Sequence, residues 1–262
     1  MSKLWRTFIS GCAAMVCVWL FVFRLYGIGR KEHINNTSIL NGSCTIQLVQ
    51  GKSKRKHDDC PLNKEREGFA KLLAHWHTLA TFYKIPYVIG CGSLLGQHRN
   101  GDMIPWDEDV DVLVDITKFK ALQAFGGMRN FKQTYDDKFH FVVQNDFEQK
   151  EEDHRRRLSC SGKIVDEQID SCSFVSPMAR LILDFTHIDI FPYVISQDQQ
   201  KVRDLDMNAD YKLEDFFPFK ECVFIETRTW CPRNIRGVLE AAYDDLEANH
   251  KCVKGSWVQK ES

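Results

Sequence analysis

The sequence predicts an α/β (α+β) domain, with a mixed sheet flanked by helices, preceded by one N-terminal transmembrane helix. Three observations predict this arrangement: an uncharged apolar run at 7–23, a helical apolar periodicity at 64–84, and a strand at 109–114 in which aspartates alternate with apolar residues. A chain of 262 residues with 44% hydrophobic residues can supply one good core once the N-terminal segment is set aside. A net charge of −1 and a pI near 6.7 exclude the basic footprint of a nucleic-acid-binding protein, so we expect no nucleic acid partner.

The apolar run at the N-terminus is long enough to span a thin bilayer. A cleaved signal peptide would have a shorter apolar region followed by small residues, whereas Trp19, Phe21 and Phe23 stand at that place. We therefore predict a signal anchor at 7–23 and a short cytoplasmic tail at 1–6.

Three N-glycosylation acceptor patterns follow the anchor directly, at Asn35, Asn36 and Asn41. Such a cluster predicts a glycosylated lumenal stem at 24–60. The domain at 61–262 would then be lumenal, in a single-pass type II protein of the Golgi (or endoplasmic reticulum) membrane.

Ten cysteines agree with an oxidising compartment, because eight of them lie beyond the anchor. Eight cysteines allow 105 pairings, so connectivity cannot be derived from sequence. Two pairs are close enough in the chain to be plausible disulfides: Cys160 with Cys172, and Cys222 with Cys231.

Apolar periodicity gives a coarse order of elements within the domain. Helices are predicted at 64–84, 117–125 and 234–248, strands at 87–89, 110–114, 139–143 and in the alternating part of 181–191, and a charged loop at 148–157. His75 and His77 flank the apolar stripe of the first helix, and we expect both on its solvated face.

The most informative segment joins the Gly90-Cys91-Gly92-Ser93 turn to three aspartates at Asp107, Asp109 and Asp111. Residues two apart in a strand share a face, so Asp109 and Asp111 would together present two carboxylates to hard divalent cations. Backbone N–H groups at Gly92 and the Ser93 hydroxyl would cradle phosphate oxygens.

The aspartates also have two simpler explanations, a solvated acidic run and a calcium-binding loop. A solvated acidic run is the usual meaning of such a pattern, but apolar residues flank this one on both sides. A calcium-binding EF-hand loop would need a glycine where Val112 stands and a glutamate where Lys118 stands.

These residues resemble the signature of the LicD, fukutin and fukutin-related protein family. The resemblance rests on the run Gly92-Ser93-Leu94-Leu95-Gly96, followed by Arg99, Gly101, Ile104-Pro105-Trp106-Asp107, Asp109 and Asp111. It continues more thinly through His187–Pro192, Phe217–Phe219 and Pro232–Tyr243, so that it spans roughly residues 65–250. One departure is Asp244, which follows Tyr243 where the family usually has glycine.

The resemblance implies a nucleotidyltransferase-like fold and a LicD-type phosphotransferase. Such an enzyme transfers a phosphorylated alcohol (phosphocholine in bacterial members, ribitol phosphate in animal members) from a CDP-linked donor to a glycan on a glycoprotein or glycolipid. Asp189 stands in the family's matching segment and is expected to be the third catalytic carboxylate, with His187 on the same face.

The expected site can be stated residue by residue. Asp109, Asp111 and Asp189 would be catalytic, and Asp107 would join them around Mg²⁺ or Mn²⁺. Gly92, Ser93 and Arg99 would bind the donor phosphates.

Two other classes of function stay open at this stage. A lumenal glycosyltransferase using a sugar nucleotide would share the anchor and the Asp-x-Asp motif, although such enzymes generally place a nucleotide-binding half before that motif. A noncatalytic family member acting as a binding partner is the other, and the intact aspartates argue against it.

Overall fold

The computed structural model describes residues 60–61, 63–126, 139–198, 200–248 and 250–260. The predicted tail, anchor, glycosylation sites and nearly all of the stem lie outside these residues. Within the described ranges, no helix combines the length and the apolar character needed to cross a membrane.

The domain is built from five α-helices and thirteen strands among the described residues. The helices are α1 Arg66–Phe82, α2 Cys91–Asn100, α3 Phe119–Gln123, α4 Leu213–Phe216 and α5 Ile235–Ala242, with 3₁₀ turns at Ile116–Lys118 and Glu152–His154. The strands are β1 Tyr87–Ile89, β2 Val110–Asp115, β3 Phe139–Val143, β4 Arg157–Leu158, β5 Ile164–Val165, β6 Ala179–Leu183, β7 Thr186–Ile195, β8 Lys201–Asp204, β9 Ala209–Lys212, β10 Lys220–Phe224, β11 Thr227–Cys231, β12 His250–Val253 and β13 Ser256–Gln259.

Seven strands form the central mixed sheet, in the order β1-β2-β7-β6-β3, with β8 pairing β7 and β9 continuing beyond β8. The pair β2–β7 is parallel and the other pairs are antiparallel. The long strand β7 therefore lies between β2 on one side and β6 and β8 on the other. This strand order confirms the predicted mixed sheet with helices.

Helix α1 packs its apolar stripe against β6, β7 and β11. Phe69, Leu72 and Trp76 on this stripe are fully buried, and burying each such side chain contributes about 1.5–3 kcal/mol. The expectation of a solvated His75 is wrong: its ring is buried and stacks on Phe139 at 4.1 Å, because β3 covers that face of the helix. His77 is partly buried, with Nδ1 2.9 Å from the Tyr87 hydroxyl.

Several elements differ from their predicted form. The Gly90–Ser93 turn is the start of α2, with Gly90 as its N-cap and Gly101 closing the helix at a φ of +70°. The segment 181–191 contains parts of two strands, β6 and β7, which form a hairpin. The last predicted helix stops at Ala242, six residues early, and Tyr243 is extended.

Three disulfides tie the described domain together. Cys160–Cys172 and Cys222–Cys231 confirm the two pairs suggested by proximity in the chain, and Cys60–Cys252 joins the start of the domain to β12. Cys91 is a free cysteine.

Candidate active site

Two aspartates from distant parts of the chain meet on the central sheet. The parallel register of β2 and β7 places Asp111 directly opposite Asp189. Opposed residues on neighbouring strands project from the same face. Both are buried, with 7% and 3% of their surface exposed, so the sheet presents two carboxylates side by side in a region poor in water.

Asp109 and Asp107 lie in the loop that enters β2. An oxygen of Asp109 lies within 4.8 Å of a ring nitrogen of His187 and an oxygen of Asp189. Asn63 Nδ2 donates a hydrogen bond to the backbone carbonyl of Asp107 at 2.6 Å, which holds the loop. Oδ2 of Asp107 is buried and accepts no hydrogen bond from the described residues.

The start of α2 faces this loop at very short range. A Cβ atom at Gly92 would lie 2.9 Å from Asp107 Oδ2, so any other residue there would displace this carboxylate oxygen. The hydroxyl oxygen of Ser93 accepts the backbone N–H of Asp111 at 2.9 Å and thereby fixes the helix to β2. The first N–H groups of a helix have no acceptor within it and carry partial positive charge, so the expected phosphate cradle is here a helix N-terminus.

Arg180 is a site residue that sequence reasoning missed. It stands opposite Asp189 in the β6–β7 register, with Nε 2.7 Å from Asp189 Oδ1 and Nη2 donating to Oδ2 at 2.8 Å. The Asp189 side chain is buried, with 5% exposed, and that of Arg180 is partly buried, with 11% exposed. A lone arginine within the otherwise apolar strand Ala179–Leu183 was the available signal.

A second pair of acidic residues adjoins the site from the end of β8. Asp204 is fully buried and accepts hydrogen bonds from the Tyr211 hydroxyl at 2.9 Å and from two backbone N–H groups, so it is satisfied within the fold. Asp206 has Oδ2 3.9 Å from the Cys91 sulfur. The sequence offered no periodicity or motif that singled out either aspartate.

Burial and mutual repulsion raise the pKa values of the clustered aspartates. Burial, followed by the charge of Asp109, raises the pKa of Asp107 to about 6. Burial raises the pKa of Asp189 to about 7, although Arg180 acts in the opposite direction. Burial and the neighbouring Asp109 and Asp189 raise the pKa of Asp111 well above its ordinary value. Without a cation, such a cluster retains protons near neutral pH.

The residues fit a hard divalent cation. Carboxylate oxygens are the ligands that Mg²⁺ and Mn²⁺ prefer, and the buried Oδ2 of Asp107 lacks a donor that would otherwise satisfy it. The residues whose ligand atoms lie within 4.8 Å of one another are Asp109, His187 and Asp189, and the charges of Asp109, Asp189 and Asp107 are close enough to Asp111 to raise its pKa.

Arg99 is the predicted site residue that the structure does not bring to the cluster. It lies six residues beyond Ser93 on α2, about 9 Å along the helix axis. Its Nε and Nη2 donate to the backbone carbonyls of Leu246 and Glu247 at 2.9 and 2.6 Å. Arg99 thus holds the segment after α5 against α2, and the phosphate-binding role expected for it stays a prediction.

Comparison with known proteins gives two partial likenesses. The lipopolysaccharide cholinephosphotransferase LicD of Haemophilus influenzae is 46% identical over 49 residues, a segment that covers 19% of this chain and 18% of that protein. The lincomycin-bound crystal structure of the lincosamide antibiotic adenylyltransferase LnuA aligns with 67% of this chain and 87% of its own, at 16% identity and a TM-score of 0.31. A likeness at that TM-score supports no inference.

The match that identifies the family is broader. The model of the family described as LicD/FKTN/FKRP, nucleotidyltransferase domain, matches residues 84–234, more than half of the chain, and this range includes the start of α2 and the aspartates of β2 and β7. The chain therefore belongs to the LicD/FKTN/FKRP family.

Proposed function

We propose that this protein is a metal-dependent phosphotransferase. It would move a phosphorylated alcohol from a CDP-linked donor to a glycan of the secretory pathway. The observation that carries the proposal is that Asp109, from the loop entering β2, meets Asp189, which stands opposite Asp111 on one face of the sheet, beside the N-terminus of α2. Family membership and the local identity to a cholinephosphotransferase support a transferase of this class.

The donor diphosphate would bind between α2 and β2. The first N–H groups of α2 have no acceptor within the helix and would donate to phosphate oxygens, and Gly92 has no side chain to obstruct them. Ser93 accepts a hydrogen bond from β2 and keeps its own hydroxyl proton to donate. These groups would stabilise the charge that develops on the leaving CMP.

Asp107, Asp109 and Asp111 would hold Mg²⁺ or Mn²⁺ against the diphosphate. When bound, such an ion neutralises phosphate oxygens and lowers the barrier to displacement. Asp109 and Asp111 flank Val110, which is fully buried, so the rigid edge of the core sets their spacing. Asp189 is the candidate to accept the proton of the acceptor hydroxyl or to complete the metal site, and its pKa of about 7 suits a general base near neutral pH.

A cleft of about 590 Å³ adjoins Asp206 and offers space for the alcohol of the donor. Its walls include Phe147, Phe191 and an acidic group consisting of Glu148, Glu151, Glu152 and Asp206, with Arg155 as the basic residue. The Arg155 guanidinium lies 4.1 Å from the centre of the Phe147 ring, so the acidic residues are the groups that would favour a cationic alcohol such as choline over a neutral polyol such as ribitol.

The secretory setting is part of the proposal. Three disulfides in the described domain agree with an oxidising compartment, where such bonds persist. The predicted anchor and stem would place the domain in the lumen of the Golgi or the endoplasmic reticulum.

Thermal stabilisation of the purified full-length protein by nucleotides tests the proposal. CDP, UDP, GDP and ADP would each be added with and without Mn²⁺, because a ligand that binds only the folded state raises its stability. We expect a Mn²⁺-dependent response to CDP that is lost in Asp109→Ala. Transfer from CDP-choline and CDP-ribitol would then be compared.

Other outcomes would point to other functions. A preference for UDP or GDP would favour a sugar-nucleotide glycosyltransferase. No response to any nucleotide would favour a noncatalytic binding partner.

A further inference from the structure

Three charged residues form a row across neighbouring strands of the central sheet. The register pairs Asp111 on β2 with Asp189 on β7, and Asp189 with Arg180 on β6. All three side chains therefore stand on the same face. The guanidinium of Arg180 is the cationic group in this row.

Arg180 forms an ion pair with Asp189. Its Nη2 donates a hydrogen bond to Oδ2 at 2.8 Å, and its Nε lies 2.7 Å from Oδ1 without the geometry of a hydrogen bond, so the positive charge stands against both carboxylate oxygens. The guanidinium carbon lies 4.9 Å from the centre of the Phe174 ring, which supports it from another side. Arginine does not lose its proton in proteins, so this cation is permanent.

The neighbouring ligand atoms could otherwise hold a metal ion. Oxygens of Asp109 and Asp189 and a nitrogen of His187 lie within 4.8 Å of one another, and His187 Nε2 is 3.6 Å from Asp189 Oδ1. A divalent ion bound there would share Asp189 with the guanidinium and be repelled by it at close range. The position is thus already neutralised by a side chain.

We propose that Arg180 replaces a second metal ion at this site. The chain then binds one divalent cation, on Asp107, Asp109 and Asp111, and Asp189 acts as a carboxylate oriented by Arg180. Arg180 is in this sense a positioning residue. This inference rests on the proposed function, in which activity depends on a metal ion, and it specifies the number of ions bound per chain.

The experiment counts Mn²⁺ bound to the purified full-length protein. Native mass spectrometry gives the number of ions per chain with and without CDP, and the electron paramagnetic resonance signal of free Mn²⁺ gives the affinity. The wild type is expected to bind one ion in both conditions. Arg180→Met should admit a second ion because Asp189 loses its counter-charge, whereas Arg180→Lys should still bind one.

The double variant Arg180→Met/Asp189→Asn is the matched control. It removes the ion pair as a unit, a change that buried pairs often tolerate, and should bind one Mn²⁺ with an affinity within about threefold of the wild type. Asp109→Asn should lose that ion. The wild-type count and the double variant decide the question even if Arg180→Met does not fold.

Two results would overturn the inference while leaving the proposed function standing. One is two Mn²⁺ ions on the wild type. The other is a loss of Mn²⁺ affinity of more than about 100-fold in the double variant, which exceeds the usual cost of losing a residue that only supports the ligands and would make Asp189 a direct ligand. A wild type that binds no Mn²⁺ at all would contradict both proposals.

Discussion

Two acidic regions of this domain have opposite electrostatics. Asp146 accepts hydrogen bonds from Arg156 Nε and Nη2 at 2.9 and 3.2 Å and from Lys150 Nζ at 3.1 Å. The hydrogen bonds from Arg156 and, to a smaller extent, from Lys150 hold the pKa of Asp146 below its usual range. In the active-site cluster, burial and mutual repulsion raise the carboxyl pKa values.

The difference lies in counter-charge rather than in acidity. Asp146 has two cationic partners of its own, whereas Arg180 serves a cluster that contains Asp107, Asp109, Asp111 and Asp189. A carboxylate that the fold neutralises is structural. Buried carboxylates that the fold leaves uncompensated indicate a cation from outside the chain.

The largest expected effect is on activity. Asp111→Asn should lower kcat/KM for transfer from the preferred CDP-alcohol by about 10³-fold or more, because a metal ligand at the diphosphate is lost. Asp146→Asn is the matched control and should stay within about twofold of the wild type. Turnover preserved in Asp111→Asn would remove the basis for distinguishing the two regions.

The approach of Gly92 to Asp107 gives the next largest effect. Gly92→Ala would place a Cβ atom 2.9 Å from Asp107 Oδ2 and force that carboxylate to move. Displacement of a positioned group by about 1 Å costs up to about 100-fold, so we expect kcat/KM to fall by about 10- to 100-fold while Tm changes little. Unchanged kinetics would show that Asp107 needs no defined position.

Stabilisation by Mn²⁺ should depend on pH. The carboxyl pKa of Asp107 rises from 3.8 to about 6 on folding, and that of Asp189 to about 7. For raised pKa values, the stability that protonation contributes is complete below the unfolded value and is lost as the pH rises through about 6 to 7. A bound cation requires ionised ligands and compensates for this loss.

Calorimetry can measure this dependence. At a Mn²⁺ concentration of 100 times its Kd, the gain above about pH 7.5 should be about 2.7 kcal/mol, and it should be much smaller near pH 5. Asp109→Asn is the control, because it should abolish the gain at both values. An equal gain at both pH values would contradict the placement of Asp107, whose pKa is raised to about 6, among the metal ligands.

The smallest expected effect concerns the metal-free protein. Asp146→Asn removes an ion-paired carboxylate and should lower Tm slightly, while Asp111→Asn relieves repulsion in the cluster and should leave Tm unchanged or raise it. Differential scanning fluorimetry in the presence of EDTA measures both. A change of Tm with the same sign in both variants would contradict the view that Asp146 is neutralised within the fold and Asp111 is not.

Local patterns predicted much of the fold. The alternation at β2, the short β1, the strand at 139–143 and the stripe of α1 were all recognised, because each depends on residues a few positions apart. The start of α2 was predicted as a turn, since Gly-Cys-Gly-Ser lacks a helical apolar pattern and its helix is stabilised by packing on β2. His75 was misplaced because the strand that covers it lies far away in the sequence.

Within the site, too, residues close together in the sequence were predicted, and residues brought together by strand pairing were not. Asp107, Asp109, Asp111, Gly92 and Ser93 belong to one continuous segment, and their spacing alone indicated a metal and phosphate site. Arg180 was missed because only the β6–β7 register brings it to Asp189. Arg99 was expected at the phosphates, whereas the segment after α5 engages its guanidinium.

The sequence by itself determined the chemistry: which carboxylates are present, their period-two spacing and the glycine that lets α2 approach Asp107. The tertiary structure decided which charges meet. Strand pairing between β2, β7 and β6 sets Asp111 beside Asp189 and Asp189 beside Arg180. The physical reason is that side-chain period is a property of neighbouring residues, whereas register is settled by the burial of whole strands against the core.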